Sequence, residues 1–116
     1  MTRISDFAKV SSIDGVKGYY LVKYNGSIVS YQGDNADTIC PCIAFSGLNC
    51  DAISSILGFS KFNHMTFSRK CQENIIIFSL GNHFLAVIKK ANASAPDLIQ
   101  RVSEFIKQIG NIGQSN

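Results

Sequence analysis

A chain of 116 residues that is 46% hydrophobic and only 16% charged is long enough to bury roughly two thirds of its unfolded surface in one core, which excludes a disordered chain and one held together by disulfides or a structural metal. Net charge is +3, from 11 Lys and Arg against 8 Asp and Glu; the cations are scattered, with Arg69-Lys70 and Lys89-Lys90 the only adjacent pairs, unlike the concentrated basic face of a nucleic-acid binder. The opening MTRISDFAKV lacks the charged-then-apolar pattern of a signal peptide, and no apolar run approaches the ~18 residues of a membrane span, so the expectation is a cytoplasmic protein with no membrane or nucleic-acid partner and four reduced cysteines.

In chain order, residues 3–13 place Ile4, Phe7, Ala8 and Ser11 at helical spacing, and Asp14-Gly15 ends the segment. Two β-branched and aromatic runs then flank Asn25-Gly26, which predicts a hairpin with a two-residue type I′ turn. Residues 34–58 read as the longest helix. Its start is expected near Cys40 or Pro41, because the residue before a proline avoids helical dihedrals, and Gly58 closes it. Two stripes run along it, an apolar one through Phe45, Leu48, Ala52 and Ile56, and a small one through Ala44, Gly47, Asp51, Ser54 and Gly58.

Three strands follow. Residues 62–70 alternate weakly, with polar residues on both faces, and suit an edge strand. Residues 74–80 and 83–90 are apolar on both faces and suit central strands, joined by a tight turn at Gly81-Asn82. The last helix has Ser94 as N-cap, Pro96 and Asp97 in its first turn, an apolar face of Leu98, Val102, Phe105 and Ile109, and Gly110 as its stop. The expected architecture is α+β in the order α-β-β-α-β-β-β-α, a five-stranded antiparallel sheet with helices on both faces. One domain covers residues 1–110, and 111–116 form a flexible tail.

Chemistry is sparse in this pattern. Three of the four cysteines fall in TICPCIAFSGLNC, residues 38–50. On a helix rising 1.5 Å per residue, Cys42 and Cys50 lie about 12 Å apart along the axis, beyond the roughly 7 Å that a disulfide tolerates between Cα atoms. There is no C-x-x-C motif, and His64, Cys71 and His83 show no zinc-knuckle spacing, so neither a metal nor a cofactor is expected. Cys40 is the candidate reactive thiol, because a helix N-terminus lowers a thiol pKa. His64 and His83 lack Ser or acid partners at triad spacing, no phosphate-cradling Gly-rich loop occurs, and the acids are dispersed. No catalytic residue is assigned.

The small stripe is the better lead. Small residues at successive turns admit a second backbone closely, and the edge strand beside them offers unpaired groups together with Met65 and Phe67. Ala44, Gly47, Asp51, Ser54, Met65 and Phe67 are therefore the expected contact residues with a partner, and Gly47→Leu is expected to weaken that contact.

Element order, the segment SIDGVKGYYLVKYNGSIVSYQG with Gly15, Val16, Gly18 and Gly26, and the strand pair ENIIIFSLGNHFLAVIKK leading into a capped helix resemble the Roadblock/dynein light-chain family over residues 3–109. The resemblance implies a non-enzymatic homodimer, or a heterodimer with another Roadblock-type chain. It pairs through the third strand and the long helix and serves as scaffold or regulator of a small Ras-like GTPase. It also leaves open a light-chain subunit of a motor or adaptor complex, and a cysteine-based redox or metal sensor stands as a third function. Arg69 and Arg101 are the interior arginines a GTPase could meet, though neither is placed as a confident arginine finger.

Overall fold

Alternation of side chains along three central strands produces both cores of this molecule. The computed structural model describes residues 4–58, 64–68 and 74–109. Its five strands, β1 (Val16–Lys23), β2 (Ile28–Gln32), β3 (His64–Phe67), β4 (Ile75–Ser79) and β5 (His83–Lys89), form one antiparallel sheet in the spatial order β2-β1-β5-β4-β3. Helix α1 (Ile4–Phe7) continues as a 3₁₀ turn over Ala8–Ser12; α2 spans Ala36–Ile56 and α3 Ala95–Ile109. The α+β order read from the sequence is the observed one. Among the described residues β4 and β5 lie inside the sheet and β3 at its edge, paired with β4 from His64↔Phe78 to Phe67↔Ile75.

Because neighbouring residues of a strand point to opposite faces, β1, β4 and β5 each feed two cores. Tyr19, Leu21, Ile76, Phe78, Leu85 and Val87 meet Phe7, Val10, Leu98 and Val102 on one side. Tyr20, Val22, Ile77, Phe84 and Ala86 meet Ala36, Cys40, Ile43 and Ala44 of α2 on the other. Each large apolar side chain removed from water this way contributes about 1.5–3 kcal/mol. The register of β1 against β5 shifts between Val16 and Gly18, and this irregularity turns Val16 into the first core although it shares parity with Tyr20. At Gly18 a Cβ would lie 2.4 Å from the Gln32 carbonyl oxygen, so only glycine lets β1 and the end of β2 approach there.

Three local details differ from the sequence expectation. The β1–β2 connection is a three-residue loop, Tyr24-Asn25-Gly26. It is closed by the Gly26 N–H donating to the Lys23 carbonyl (2.9 Å) and the Lys23 N–H donating to the Ser27 carbonyl (3.0 Å), with only Gly26 at positive φ, 94°. A type I′ turn requires positive φ at both central residues. Asn25 keeps negative φ, and its Oδ1 accepts the Ser27 N–H at 3.0 Å, leaving the left-handed residue to glycine, as in a hairpin with a G1 bulge.

The second difference is the start of α2, at Ala36 rather than near Pro41. Asn35 takes a left-handed conformation (φ 58°), its carbonyl accepts the Thr38 and Ile39 N–H groups, and no side chain caps the end. Pro41 is thus inside the helix, at its sixth position; the bias of the preceding residue against helical dihedrals is a preference, and the packing of Ala36 and Cys40 on the sheet overrides it. Third, the first helix is α-helical for only four residues before tightening to 3₁₀.

The remaining ends follow the sequence. Gly58 at φ 88° terminates α2, Gly81 at φ 86° opens the β4–β5 turn, and the Ser94 Oγ accepts the Asp97 N–H at 3.5 Å at the start of α3. The flanks expected for β3, the 71–73 connection, Gly110 and the tail lie outside the described residues.

Candidate interaction surface

Helix α2 distributes its side chains opposite to the usual rule. Its small residues face inward: Ala44 is 3% exposed and Gly47 is buried. A Cβ at Gly47 would stand 2.5 Å from the Phe84 ring, so the glycine exists to admit that aromatic from β5. Its large residues face outward, with Phe45 69%, Ile53 57% and Ile56 83% exposed, and Leu48 and Leu57 exposed too. The expectation that Ala44, Gly47 and Ser54 meet a partner is corrected here: the chain's own sheet takes up Ala44 and Gly47, and Ser54 is buried with them. Asp51 is half-buried, with Oδ1 shut away from water and without a hydrogen bond among the described residues. By length and composition alone the 21-residue helix could cross a membrane. In the fold it lies across the sheet, and much of its hydropathy comes from the outward-facing residues.

Between this helix and the sheet edge runs an apolar groove in two segments. One, of about 200 Å³, is lined by Ile39, Cys42, Ile43 and Ser46 from α2 and by Phe67, Ile75 and Ile77 from the sheet. The other, of about 240 Å³, is lined by Phe45, Ser46, Asn49, Cys50 and Ile53 with Met65 and Phe67 of β3. Among the described residues no charged side chain lines either segment. Met65 and Phe67, expected at a contact surface, are half-buried and 42% exposed respectively, beside an edge strand with one side unpaired. Contiguous exposed apolar area of this kind marks an interaction surface on a folded domain, and an unpaired edge strand can accept another strand.

The residues missed from sequence are Phe45, Leu48, Ile53, Ile56 and Leu57 as surface. The signal was present: α2 is apolar on nearly every face, a pattern that belongs to a helix covered on all sides, while among the described residues its cover is the sheet.

The chemical candidates resolve differently. Cys40 is fully buried against Tyr20, Phe84 and the rest of the α2 core, and burial, with Asp37 adding to it, pushes its thiol pKa up. It is a core thiol and not a reactive one: with α2 beginning four residues earlier than expected, Cys40 sits in the second turn and faces the sheet. Cys42 is exposed, Cys50 half-buried, both are reduced, and both line the groove; Cys71 lies outside the described residues. His83 is 7% exposed, its Nδ1 has no hydrogen-bond partner among the described residues, and burial together with Lys23 lowers its pKa. His64 stacks obliquely on Phe78 at 6.1 Å and is exposed. Arg101 lies on the outer face of α3, where it reaches the Asp14 carbonyl (3.4 Å) and carboxylate (3.5 Å); Arg69 lies outside the described residues. Among the described residues no group of three or more His, Cys, Asp or Glu is placed to hold a metal ion.

No family model matches the chain, and no curated protein matches it in sequence. Its fold is nevertheless shared with solved structures. MglB of Myxococcus xanthus superposes with a TM-score of 0.76 at 15% identity, covering 87% of this chain and 85% of that one. A Roadblock/LC7 domain from Streptomyces avermitilis gives 0.72 at 16% identity, with 86% and 87% covered. An MglB in a tetrameric arrangement gives 0.65 at 11% identity, with 92% and 89% covered. The chain has the Roadblock-like fold.

Proposed function

We propose that this Roadblock-like chain is a non-enzymatic dimerising module of the cytoplasm that scaffolds or regulates a small Ras-like GTPase. The observation that carries the reading is the apolar face of α2, uncharged and beside an unpaired β3 edge among the described residues. A surface without charges favours an occupant without charges, and the α2 face offers one to a second copy of itself, since an isologous interface sets the same patch on both sides. The six residues expected from sequence divide accordingly. Met65 and Phe67 belong to the proposed contact, and the α2 contribution passes from Ala44, Gly47, Asp51 and Ser54 to Phe45, Cys42, Ser46 and Ile53. The tetrameric arrangement of one MglB relative supports self-association as a property this fold accommodates.

The GTPase partner rests on fold likeness to MglB and Roadblock/LC7 structures and on the resemblance of sequence motifs. The described arginine, Arg101, is engaged by Asp14 on the far face of the sheet from α2, which takes it away from a GTPase bound at the α2 face; the reading is that the module orders the GTPase's own residues. Analytical ultracentrifugation of the purified chain tests the dimer. Size-exclusion chromatography and single-turnover GTP hydrolysis, each with a Ras-like GTPase encoded beside it, test the partner. A monomer at micromolar concentration rejects the first half of the reading; a dimer that neither co-elutes with the GTPase nor alters its turnover rejects the second.

A further inference from the structure

The groove beside α2 holds the exposed thiol Cys42 in one segment and Cys50 in the other. Ser46 and Phe67 line both segments and so mark its centre. Ser46 is four residues from each cysteine, which on a helix places Cys42 and Cys50 about 6 Å to either side of it along the axis and on the same flank. Within one chain that separation forbids a bond between them. Between two copies it does the reverse. A two-fold axis through the centre of a self-complementary patch sets the helices antiparallel, so that whatever lies four residues before the centre on one meets what lies four residues after it on the other.

We propose that the α2 groove is a thiol-latched contact, in which Cys42 of one chain and Cys50 of a second copy form an intermolecular disulfide, twice per dimer, under an oxidised low-molecular-weight disulfide such as oxidised glutathione. This rests on the dimer reading above. For each bridge, a thiolate attacks one sulfur of the glutathione disulfide, releasing one glutathione thiol, and the second cysteine displaces the other glutathione from the mixed disulfide. Two protein thiols are oxidised, two glutathione thiols are produced, and one S–S bond replaces another. Among the described residues no other thiol lines the groove, and Cys40 is sealed in the core, so the latch is placed on the surface where association takes place. Under reducing conditions the copies exchange freely; under disulfide stress they become covalently paired.

The test uses the full chain carrying Cys71→Ser, which leaves Cys42, Cys50 and the buried Cys40 as its thiols. Reduced protein is first sized by sedimentation, then incubated with oxidised glutathione and analysed by non-reducing electrophoresis and peptide mass spectrometry. The expected result is a covalent dimer whose cross-linked peptides join residue 42 to residue 50. Adding Cys42→Ser or Cys50→Ser lowers its yield at least about tenfold, because the docked geometry supplies the high local thiol concentration that solution encounters lack. An equimolar mixture of the two serine variants restores the cross-link, since one supplies Cys50 and the other Cys42. Persistence of the covalent dimer in either single variant overturns the pairing, as does a reduced dimer that yields no cross-link. A reduced monomer overturns the dimer reading, and the latch with it.

Discussion

Helices α2 and α3 lie on opposite faces of the same sheet, but only one of them is finished within the chain. In α3, Leu98 and Val102 are buried, Ile99, Phe105, Ile106 and Ile109 pack around them, and Gln100, Arg101, Glu104, Lys107 and Gln108 face water. Every large apolar residue of that helix has a place in the core, and the outer face is polar, as expected of a surface helix. In α2 the buried set is Ala36, Cys40, Ile43, Ala44, Gly47 and Ser54, mostly small, while Phe45, Leu48, Ile53 and Ile56 project outward. The sheet explains the inward half: Phe84 and Tyr20 bring the bulk from below, so the helix above them must be thin. It does not explain the outward half. Large apolar side chains exposed along several turns stabilise nothing in a monomer, and their presence is the strongest reason to place a second surface on α2.

That contrast can be broken from either side of the helix. The largest effect is expected on the inner side. Gly47→Leu pushes a branched side chain into the Phe84 ring, which even a Cβ would approach to 2.5 Å. It should lower the stability of the fold by about 3 kcal/mol, read as a shift of the urea midpoint. The effect the sequence led us to expect for this substitution, weaker association, would then be secondary to loss of the helix–sheet contact. A Gly47→Leu protein with wild-type unfolding midpoint would show that α2 does not lie where the structure puts it.

On the outer side the fold should be indifferent and association should not. Phe45→Asp and Ile53→Asp each introduce a charge into the groove segment that Met65 and Phe67 line. Each is expected to weaken self-association by about 2 kcal/mol, or about thirtyfold in Kd by sedimentation equilibrium, with circular dichroism unchanged. Gln100→Asp on the outer face of α3 serves as the counterpart and should leave both readings within about 0.5 kcal/mol. Equal responses from the two helices would erase the distinction between them.

A smaller effect follows from His83 in β5. Its folded-state pKa is depressed below the usual 6.5 by burial, with Lys23 adding to it, so the unfolded chain binds a proton more readily than the folded one. Its contribution to stability is therefore intact above pH 6.5 and is lost as pH falls through that value toward the folded pKa. His83→Gln should flatten the acid limb of the stability profile, measured as the urea midpoint from neutral pH downward. Cys40 has the opposite sign. Its raised pKa keeps its contribution intact below the ordinary thiol value of 9.0, to be lost as pH rises above it.

Where sequence and structure agree, the reason is that periodicity fixes local geometry. Residues 74–80 and 83–90, apolar on both faces, read as central strands, and the weak alternation of residues 62–70, with polar residues on both faces, read as an edge, because a strand's neighbours decide which of its faces may be polar. Where they disagree, the missing information was tertiary. The spacing of Ala44, Gly47 and Ser54 showed that these residues share a face of α2, yet nothing local said whether that face meets a partner or the sheet; Phe84, thirty-seven positions away, decides it. The same holds for Cys40. A start at Pro41 would have put its thiol at the helix N-terminus, but Ala36 packs on the sheet and extends the helix backward, which turns the thiol into the core. Met65 and Phe67 could be placed from sequence because edge position and exposed bulk are both visible in a single strand.

The two helix starts give the finest version of the comparison. At α3 the Ser94 side chain accepts the Asp97 N–H, but at 3.5 Å the bond is long, so Ser94→Ala should cost about 0.5 kcal/mol, the low end for a lost N-cap. At α2 no side chain caps the helix, and Asn35 holds a left-handed φ of 58° that glycine adopts without steric cost. Asn35→Gly should therefore be neutral within a few tenths of a kcal/mol, whereas Asn35→Ala, which keeps the Cβ and loses the residue type most tolerant of that conformation, should destabilise by up to about 1 kcal/mol. Chemical denaturation of all three variants in an Ile53→Asp background, where self-association is removed, separates the local effect from the dimer's. If Asn35→Gly proved as damaging as Ser94→Ala, the Asn35 side chain would be contributing a contact that the left-handed geometry alone does not supply, and the start of α2 would be anchored by side chain and not by the fit of Ala36 and Cys40 against the sheet.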